Sequence, residues 1–296
     1  MTASLTKPAI LCGLIGKDVQ ASLTPELHMR EGEAQGLRYV YRLVDLTVLG
    51  LEAEAMPELL TAAQRMGFTG LNITYPCKQA VIPHLDGLSD EARALGAVNT
   101  VVLKNGKRVG HNTDCSGYGA SFRARMADAK RDRVVQMGAG GAAAAVAFAL
   151  LSSGVGRLTV FDVEPGRADN LAGRMSAHFG VGRAVAGQDI RDEIRTADGL
   201  VNTTPVGMAK LPGLPVPPDL LRPDLWVSEI IYFPAETELL RRARAIGAPT
   251  IDGGGMAVFQ AVAAFRLFTG IEPDSRRMLA HFEGLRREID PPNQKE

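Results

Sequence analysis

The chain has 296 residues, of which 46% are apolar and 22% are charged, values that are ordinary for a water-soluble globular protein. This length exceeds one average hydrophobic core and favours two domains. Lysine plus arginine and aspartate plus glutamate each number 33, so the net charge is zero. The charge balance gives no reason to expect binding to nucleic acid or to a membrane, and an anionic ligand must be held by local groups.

The cysteines and histidines favour neither disulfides nor a metal site. Cys12, Cys77 and Cys115 are an odd number without C-x-x-C spacing, which is typical of buried free thiols in a reducing compartment, here the cytoplasm. The five histidines show no metal-ligand spacing, so we expect no metal. The apolar stretches 9–16 and 138–154 are too short, or too rich in glycine, for a signal peptide or a membrane span.

Apolar periodicity predicts a chain of alternating strands and helices. In the first part we expect helices at 25–35 and 49–66 and strands at 10–15, 38–43, 70–74 and 97–103. After a charged connector at 123–133, we expect helices at 142–152 and 256–268 and strands at 134–138, 158–161, 199–202, 226–230 and 250–252. The segment 210–223, rich in proline and glycine, is predicted to be a loop, and 290–296 to be frayed. The alternation predicts an α/β fold with βαβ units and largely parallel sheets.

A glycine-rich motif lies at a predicted strand-to-helix junction. Its pattern is G-x-G-x-x-A, and its residues are Gly138, Ala139, Gly140, Gly141, Ala142 and Ala143. The first glycine permits a tight turn, the second lets a pyrophosphate approach the backbone, and the helix N-terminus supplies N–H groups for the phosphates. A purely structural turn would explain the glycines equally well if the motif stood alone.

The residue after the next strand indicates which nucleotide is bound. Asp162 lies 24 positions after Gly138, where a carboxylate can hydrogen-bond both ribose hydroxyls of NAD and would repel the 2′-phosphate of NADP. Arg167 favours NADP instead, because an arginine there could pair with a 2′-phosphate, although it could also stack on the adenine ring. We therefore predict NAD as the cofactor and regard NADP as the less favoured alternative.

Two pairs of polar residues are candidate site residues. Lys78 closes the run N-I-T-Y-P-C-K and Asp114 closes H-N-T-D, a framing by small polar residues that suits proton transfer. From spacing alone, a structural salt bridge between them is the favoured alternative. Ser22 and Thr24 stand two positions apart, so both hydroxyls can face one ligand in an extended or turn segment. Thr24 followed by Pro25 could equally be the N-cap of a helix.

Together, seven motifs in this order resemble the shikimate dehydrogenase family, and the similarity covers nearly the whole chain. They are 22–25 (S-L-T-P), 72–78, 96–100 (G-A-V-N-T), 112–114 (N-T-D), 138–143, 202–208 (N-T-T-P-V-G-M) and 252–260. At two positions, the chain is most similar to the NAD-dependent quinate/shikimate dehydrogenase branch of the family. These are Thr24, where biosynthetic members usually carry serine, and Asp162, where NADP-dependent members show an Asn-Arg-Thr pattern.

The resemblance implies a discontinuous fold of two domains. An N-terminal α/β substrate-binding domain, 1–113, would be completed by C-terminal helices within 256–296, and a Rossmann NAD-binding domain would occupy 114–255. The active site would then lie in the cleft between the domains. The ligands implied are small molecules, and the sequence leaves the oligomeric state open, with a homodimer as one alternative.

The resemblance also implies roles for individual residues. Lys78 would be the general base with Asp114 as its partner; because a carboxylate favours the charged lysine, Lys78 could instead stabilise the alkoxide while the proton passes through Asp114. Ser22 and Thr24 would bind the substrate carboxylate. The ring would be bound by Lys78 and Asp114 together with Thr74, Asn99 and Gln260. The cofactor would lie along the glycine loop, Asp162, Arg167, Thr203, Pro205, Val206, Ile231, Tyr232 and Gly255.

The activity implied is the NAD-dependent oxidation of quinate to 3-dehydroquinate and of shikimate to 3-dehydroshikimate, in quinate catabolism or in the shikimate pathway of aromatic amino acid biosynthesis. One alternative is a biosynthetic NADP-dependent shikimate dehydrogenase. A second is a non-catalytic regulator that binds quinate or shikimate, although the presence of both Lys78 and Asp114 favours an enzyme. A third is a relative that acts on an amino-shikimate ring.

Overall fold

The computed structural model of the chain describes residues 9–289. These residues divide into two compact units, 9–113 with 260–285 and 114–259 with 286–289. The segment 290–296, which the sequence predicts to be frayed, lies outside the described residues, as does the end of the predicted domain segment 256–296. The functional domain bounds 1–113, 114–255 and 256–296 stay a prediction.

The first unit contains one six-stranded sheet. Its strands are β1 (Ala9–Gly16), β2 (Arg38–Asp45), β3 (Gly70–Ile73), β4 (Gly87–Leu88), β5 (Thr100–Lys104) and β6 (Lys107–His111). The helices in this part of the chain are α1 (Thr24–Ala34), α2 (Leu46–Leu49), α3 (Met56–Arg65), α4 (Cys77–Ala80) and α5 (Asp90–Leu95), with 3-10 turns at Ala53–Ala55 and Ile82–His84. The strand order is β2-β1-β3-β5-β6-β4, and β1 pairs in parallel with both β2 and β3.

This sheet is mixed, which corrects the expectation of a largely parallel sheet in the first part of the chain. Strand β5 pairs antiparallel with both β3 and β6. The two-residue turn between β5 and β6 is Asn105-Gly106, whose φ values of 53° and 75° are left-handed. Asn-Gly is typical of such hairpin turns, because both central residues need a positive φ. The turn leads into β6, a strand that the apolar pattern did not predict.

The predicted helix 49–66 is interrupted in the structure. Helix α2 ends before Gly50, whose φ of 65° gives the left-handed conformation that commonly terminates a helix. Helix α3 begins at Met56 with Pro57 in its first turn, where the missing N–H of proline costs no helical hydrogen bond. The apolar periodicity crosses both breaks, so the glycine and the proline are the better guides to the helix bounds.

The second unit contains a parallel six-stranded sheet. Its strands are β7 (Arg133–Met137), β8 (Arg157–Phe161), β9 (Ala184–Ala186), β10 (Gly199–Asn202), β11 (Trp226–Glu229) and β12 (Thr250–Ile251). The helices in this part of the chain are α6 (Thr113–Arg125), α7 (Gly141–Ser152), α8 (Pro165–Phe179), α9 (Ile190–Arg195) and α10 (Glu238–Ala245), with a 3-10 turn at Pro218–Leu220. The last two helices are α11 (Gly253–Thr269) and α12 (Ser275–Ile289).

The strand order of the second sheet is β9-β8-β7-β10-β11-β12. The chain therefore builds outward from β7 to one side through β8 and β9, and then to the other side from β10 to β12. This is the 3-2-1-4-5-6 order of dinucleotide-binding sheets, in which ligands bind at the carboxyl ends of the two central strands. The predicted α/β fold class, with a Rossmann domain, is confirmed.

Helix α7 is apolar along its whole length because it is enclosed by protein. The side chains of residues 143–151 are all buried, and five of these nine residues are alanines, whose small side chains let the helix lie close to its neighbours. None of the helices in residues 9–289 is both long enough and apolar enough to cross a membrane.

Residues of α11 complete a hydrophobic core of the first unit, and a buried ion pair holds α12 to it. The rings of Tyr39 on β2 and Phe265 on α11 stack with their centroids 5.3 Å apart. Glu31 on α1 is fully buried and accepts hydrogen bonds from Nε and Nη2 of Arg277 at 2.8 and 2.7 Å. Its Oε1 also accepts from Asp274 N at 2.9 Å. A buried carboxylate needs such partners, so this contact fixes α12 on α1.

We expect Arg277→Ala to lower the free energy of unfolding by about 2–3 kcal/mol, because it leaves the buried Glu31 carboxylate without the hydrogen bonds of its charged partner. Arg266→Ala is the matched control, since its exposed pair with Glu272, at 3.3 Å, should contribute less than about 1 kcal/mol. Urea unfolding followed by circular dichroism compares the two variants. Equal losses would contradict the role assigned to the Glu31 pair.

Candidate functional site

The backbone around the glycine motif fits a phosphate-binding loop. Gly138 follows β7 with a φ of 98°, and a Cβ there would lie 2.7 Å from Thr203 Oγ1, so the position requires glycine. A Cβ on Gly140 or Gly141 would meet no atom of the described chain within 4 Å, so space is open in front of the loop. The cap residue of α7 is Gly140, which has no side chain to bond the first N–H groups of the helix. Its first N–H groups are therefore suited to bind a pyrophosphate.

Three side chains hold this loop in place. Asp162 Oδ2 accepts a hydrogen bond from Ala139 N at 2.7 Å. Thr203 Oγ1 donates to the carbonyl oxygen of Gly138 at 3.1 Å, and Gln136 Nε2, within β7, donates to the same oxygen at 3.0 Å. Sequence analysis missed Gln136, although an amide inside the apolar run V-V-Q-M is a signal, because a buried amide needs partners.

The two residues expected to select the nucleotide differ in their surroundings. Asp162 is half-buried directly after β8, and its second oxygen, Oδ1, accepts from Glu164 N at 2.9 Å. Arg167 is exposed on α8 and pairs with Glu164 at 2.9 Å. Exposed pairs of this kind contribute little. The Asp162 carboxylate is thus fixed beside the glycine loop, whereas the Arg167 guanidinium is held only by a weak ion pair with Glu164 at the surface.

The other residues expected along the cofactor follow β10 and β11 or begin α11. They are Thr203, Pro205, Val206, Ile231, Tyr232 and Gly255. Of these, the structure brings Thr203 to the glycine loop, Ile231 is buried, and Tyr232 is 42% exposed. A Cβ on Gly255 would lie 2.2 Å from Ser121 Oγ, so the glycine permits a close approach of α11 to α6. Contact of these residues with a cofactor stays a prediction.

A buried carboxylate that sequence analysis missed lies at the carboxyl end of β11. Glu229 is 1% exposed, and its two oxygens accept from Asn202 Nδ2 at 3.1 and 3.0 Å. The further donors are Ile231 N at 3.1 Å and Thr237 Oγ1 at 3.2 Å. Burial raises the pKa of Glu229 to about 7, although these hydrogen bonds act to lower it. The available signal was a glutamate inside the apolar run W-V-S-E-I-I.

In the first unit, Ser22 and Thr24 lie at the start of α1. The helix begins at Thr24 and its cap residue is Leu23, so the interpretation of Thr24 as the N-cap is wrong. Ser22 Oγ accepts from Thr24 N at 3.3 Å and thereby satisfies one of the N–H groups at the helix start. Both side chains are half-buried, and their expected contact with a carboxylate stays a prediction.

Thr74 and Lys78 follow β3, where the backbone is held on both sides. The N–H of Thr74 donates to Ile15 O at 2.9 Å, and its carbonyl accepts from Cys77 N at 2.8 Å. Lys78 lies in α4, and its carbonyl accepts from Val98 N at 2.8 Å. Both side chains are half-buried, which leaves part of each accessible to a ligand.

Asn99, expected to bind a ring hydroxyl, is 4% exposed and has protein partners for its amide. Its Oδ1 accepts from Thr113 N at 2.7 Å and from Thr100 Oγ1 at 3.0 Å, and its Nδ2 donates to Thr113 Oγ1 at 3.0 Å. Asn99 therefore caps the first N–H of α6, that of Thr113. Asp114 is the next residue of this helix and is 5% exposed.

Three other expectations can be compared with the structure. Gln260, which the resemblance assigns to the substrate ring, is half-buried on α11, so part of its side chain is accessible. Cys77 and Cys115 are buried free thiols, as expected, and burial raises the pKa of Cys77 to about 11. Within residues 9–289, no group of three or more His, Cys, Asp or Glu side chains is placed to hold a metal ion. The pairing of Lys78 with Asp114 stays a prediction.

The second sheet and its glycine loop define the class of protein. A G-x-G-x-x-A loop follows the central strand β7, and an acidic residue, Asp162, follows β8 and bonds the loop. This arrangement is that of a dinucleotide-binding domain. Together with the α/β unit that precedes it, this domain places the chain in the class of two-domain dinucleotide-binding proteins.

Comparison with known proteins gives the family. Residues 14–101 match the model for the shikimate dehydrogenase substrate binding domain, and residues 253–281 match the model for the shikimate 5′-dehydrogenase C-terminal domain. A shikimate dehydrogenase (NADP(+)) of Streptomyces avermitilis is 59% identical over 95% of this chain and 97% of its own length. A quinate/shikimate dehydrogenase (NAD(+)) of Corynebacterium glutamicum is 50% identical over 94% of this chain and 99% of its own length.

A solved structure agrees with these relatives. Quinate dehydrogenase from Corynebacterium glutamicum in complex with NAD has a TM-score of 0.90 and 47% identity, over 94% of this chain and 100% of that one. The chain belongs to the shikimate dehydrogenase family.

Alanine at two glycines of the loop should have different effects. Gly138→Ala should lower the free energy of unfolding by about 1–3 kcal/mol, because it forces a positive φ on alanine beside Thr203. Gly140→Ala should change stability by less than about 0.5 kcal/mol, since the glycine has a φ of −78° and open space, yet should weaken NADH binding. Thermal unfolding and a fluorescence titration with NADH measure the two effects. Wild-type NADH affinity in Gly140→Ala would contradict the loop assignment.

Proposed function

We propose that the protein oxidises quinate to 3-dehydroquinate and shikimate to 3-dehydroshikimate with NAD. The observation that supports NAD is the Asp162 carboxylate, which follows β8 and bonds Ala139 N of the glycine loop at 2.7 Å. A carboxylate at this position hydrogen-bonds the ribose hydroxyls and repels a 2′-phosphate. The two relatives compared above are named for different nucleotides, so sequence identity does not make this choice.

Oxidising a secondary alcohol requires that its hydroxyl proton leaves while its carbon loses a hydride. NAD, when bound, supplies the hydride acceptor. We assign the proton to Lys78 and Asp114: the lysine holds the hydroxyl oxygen, and the proton passes from that oxygen to the pair. Because a carboxylate favours the charged form of a neighbouring lysine, a coupled pair explains the transfer better than a lone lysine base.

The substrate is a small carboxylic acid whose ring carries hydroxyls. Ser22 and Thr24, half-buried at the start of α1, bind the carboxylate through their hydroxyls, so no arginine is required there. Thr74, Asn99 and Gln260 hold the ring hydroxyls, with Asn99 doing so in addition to its bonds to Thr113. The methyl group of Thr24 reshapes the pocket beside the carboxylate, where quinate carries its extra hydroxyl.

A biosynthetic NADP-dependent shikimate dehydrogenase is the second candidate. Arg167 favours it, since an exposed guanidinium held by a surface pair with Glu164 could turn to a 2′-phosphate. The name of the Streptomyces avermitilis relative agrees with this candidate. Asp162 opposes it, and we give Asp162 more weight because its carboxylate is fixed by two backbone N–H groups, Ala139 N of the glycine loop and Glu164 N after β8.

The buried free thiols Cys12, Cys77 and Cys115 support a reducing compartment, and we propose the cytoplasm as the location. A homodimer stays a prediction.

With quinate or shikimate, we expect kcat/KM to be at least about tenfold higher with NAD than with NADP, since one charge repulsion contributes on the order of 1.4 kcal/mol. Asp162→Asn should reduce this ratio, because it removes the charge and keeps an oxygen for Ala139 N. Asp169→Asn, on the exposed face of α8, is the matched control and should keep the wild-type ratio. Steady-state formation of NADH and NADPH gives the values. A wild-type preference for NADP would refute the proposed cofactor.

We expect Lys78→Ala to lower kcat for both acids by about 10²–10⁴-fold, the usual contribution of a positioned proton-transfer group. NADH formation is measured with quinate and shikimate separately, and unchanged NADH binding shows that the variant is folded. Lys104→Ala, at the exposed end of β5, is the control and should keep wild-type rates. If activity survives Lys78→Ala nearly intact, the assigned role is wrong.

A further inference from the structure

The carboxyl ends of β10 and β11 carry a polar pair that takes no part in the proposed proton transfer. Asn202 and Glu229 are register partners on the two strands, and they are 0% and 1% exposed. Burying a carboxylate is unfavourable unless donors surround it, so an apolar pair would serve packing better. The presence of the pair at this position therefore indicates a role beyond packing.

Asn202 shapes the loop that follows β10. Its Oδ1 accepts from both N and Oγ1 of Thr204, at 3.0 and 2.7 Å. Its Nδ2 donates to Val206 O at 3.0 Å, and the Thr204 hydroxyl accepts from Val206 N at 3.2 Å. Both backbone polar groups of Val206 are thus held by side chains that depend on Asn202.

Glu229 shapes the loop that follows β11. Its Oε1 accepts from Ile231 N at 3.1 Å, and its Oε2 accepts from Thr237 Oγ1 at 3.2 Å. The Thr237 hydroxyl also caps α10, accepting from Leu240 N at 3.3 Å. The two loops lie against each other, because a Cβ on Gly207 would be only 3.2 Å from Ile231 Cδ1.

We infer that Glu229 is a positioning residue for the cofactor: it joins the loops after β10 and β11 and thereby fixes the backbone of Val206 and Ile231. The inference rests on the proposed function, in which these loops lie along the cofactor. A carboxylate suits this role because it accepts from Asn202, which holds the loop after β10, and at the same time from Ile231 N and Thr237 of the loop after β11. Glu229 acts through these groups and does not touch the reacting atoms.

The test compares Glu229→Ala and Glu229→Gln with the wild type. We expect Glu229→Ala to raise KM for NAD by about tenfold or more, because it removes the hydrogen bonds that join the two loops, while KM for shikimate changes less than about twofold. Glu229→Gln keeps one acceptor oxygen and should restore part of the affinity. The rise in Tm that a fixed NADH concentration produces should be smaller in both variants.

Glu193→Gln is the matched control. Glu193 is a half-buried carboxylate of the second unit, and it accepts from Thr159 Oγ1 at 3.1 Å in the middle of β8, away from these loops. It should keep the wild-type KM for NAD. The inference fails if folded Glu229 variants keep the wild-type KM for NAD and the wild-type Tm response to NADH. It also fails if both KM values and kcat change in proportion to a lowered Tm, as a purely structural role would cause.

The NADH response separates this inference from the proposed function. A wild type that binds NADH and oxidises neither quinate nor shikimate would refute the proposed function. The rise in Tm with NADH would still show whether Glu229 affects cofactor binding. A wild type that oxidises either acid, with Glu229 variants unaffected in KM for NAD, would refute the positioning role alone.

Discussion

The loops at the carboxyl edge of the second sheet are held by side chains of neighbouring strands, and the proposed cofactor site depends on this constraint. Strands β8, β7, β10 and β11 are adjacent and parallel, so the polar groups that follow them meet at one edge. Thr203 bonds the Gly138 carbonyl, Asp162 bonds the backbone beside it, and Asn202 bonds Glu229. Because each bond joins two different strands, the shape of the glycine loop is a property of the sheet and not of the loop sequence alone.

Features that depend on short spacing could be predicted from the sequence. The β7–α7–β8 unit, with Gly138 after its first strand and Asp162 after its second, follows from a motif of fixed length, and the structure has both where the spacing places them. Local breaks were also visible but were outweighed by apolar periodicity. Gly50 interrupts the predicted helix 49–66, and Asn105-Gly106 creates a hairpin strand that the pattern missed. A turn residue sets only one or two backbone dihedral angles, and the spacing of apolar residues gives no information about those angles.

The buried polar groups could not be predicted, because their partners are distant in the sequence. Glu229 meets Asn202 across 27 positions, and Asn99 meets Thr113 across 14. An isolated glutamate or asparagine in an apolar run indicates that a partner exists, but only the fold identifies it. Asn99 is an example. The resemblance assigns it to a ligand, and the structure adds that it caps α6 at Thr113, the residue before Asp114. Its protein contacts order the segment that carries the proposed proton-transfer residue.

The buried Glu31–Arg277 pair has a consequence for the order in which the two units fold during synthesis. All strands of the second sheet lie within residues 133–251, so that sheet is complete in the nascent chain before α11 and α12 exist. The first unit, by contrast, lacks the ring of Phe265 against Tyr39 and the guanidinium for Glu31 until the last helices are synthesised. Since domains generally fold as units, the first unit, most of which is synthesised first, completes its folding after the second unit.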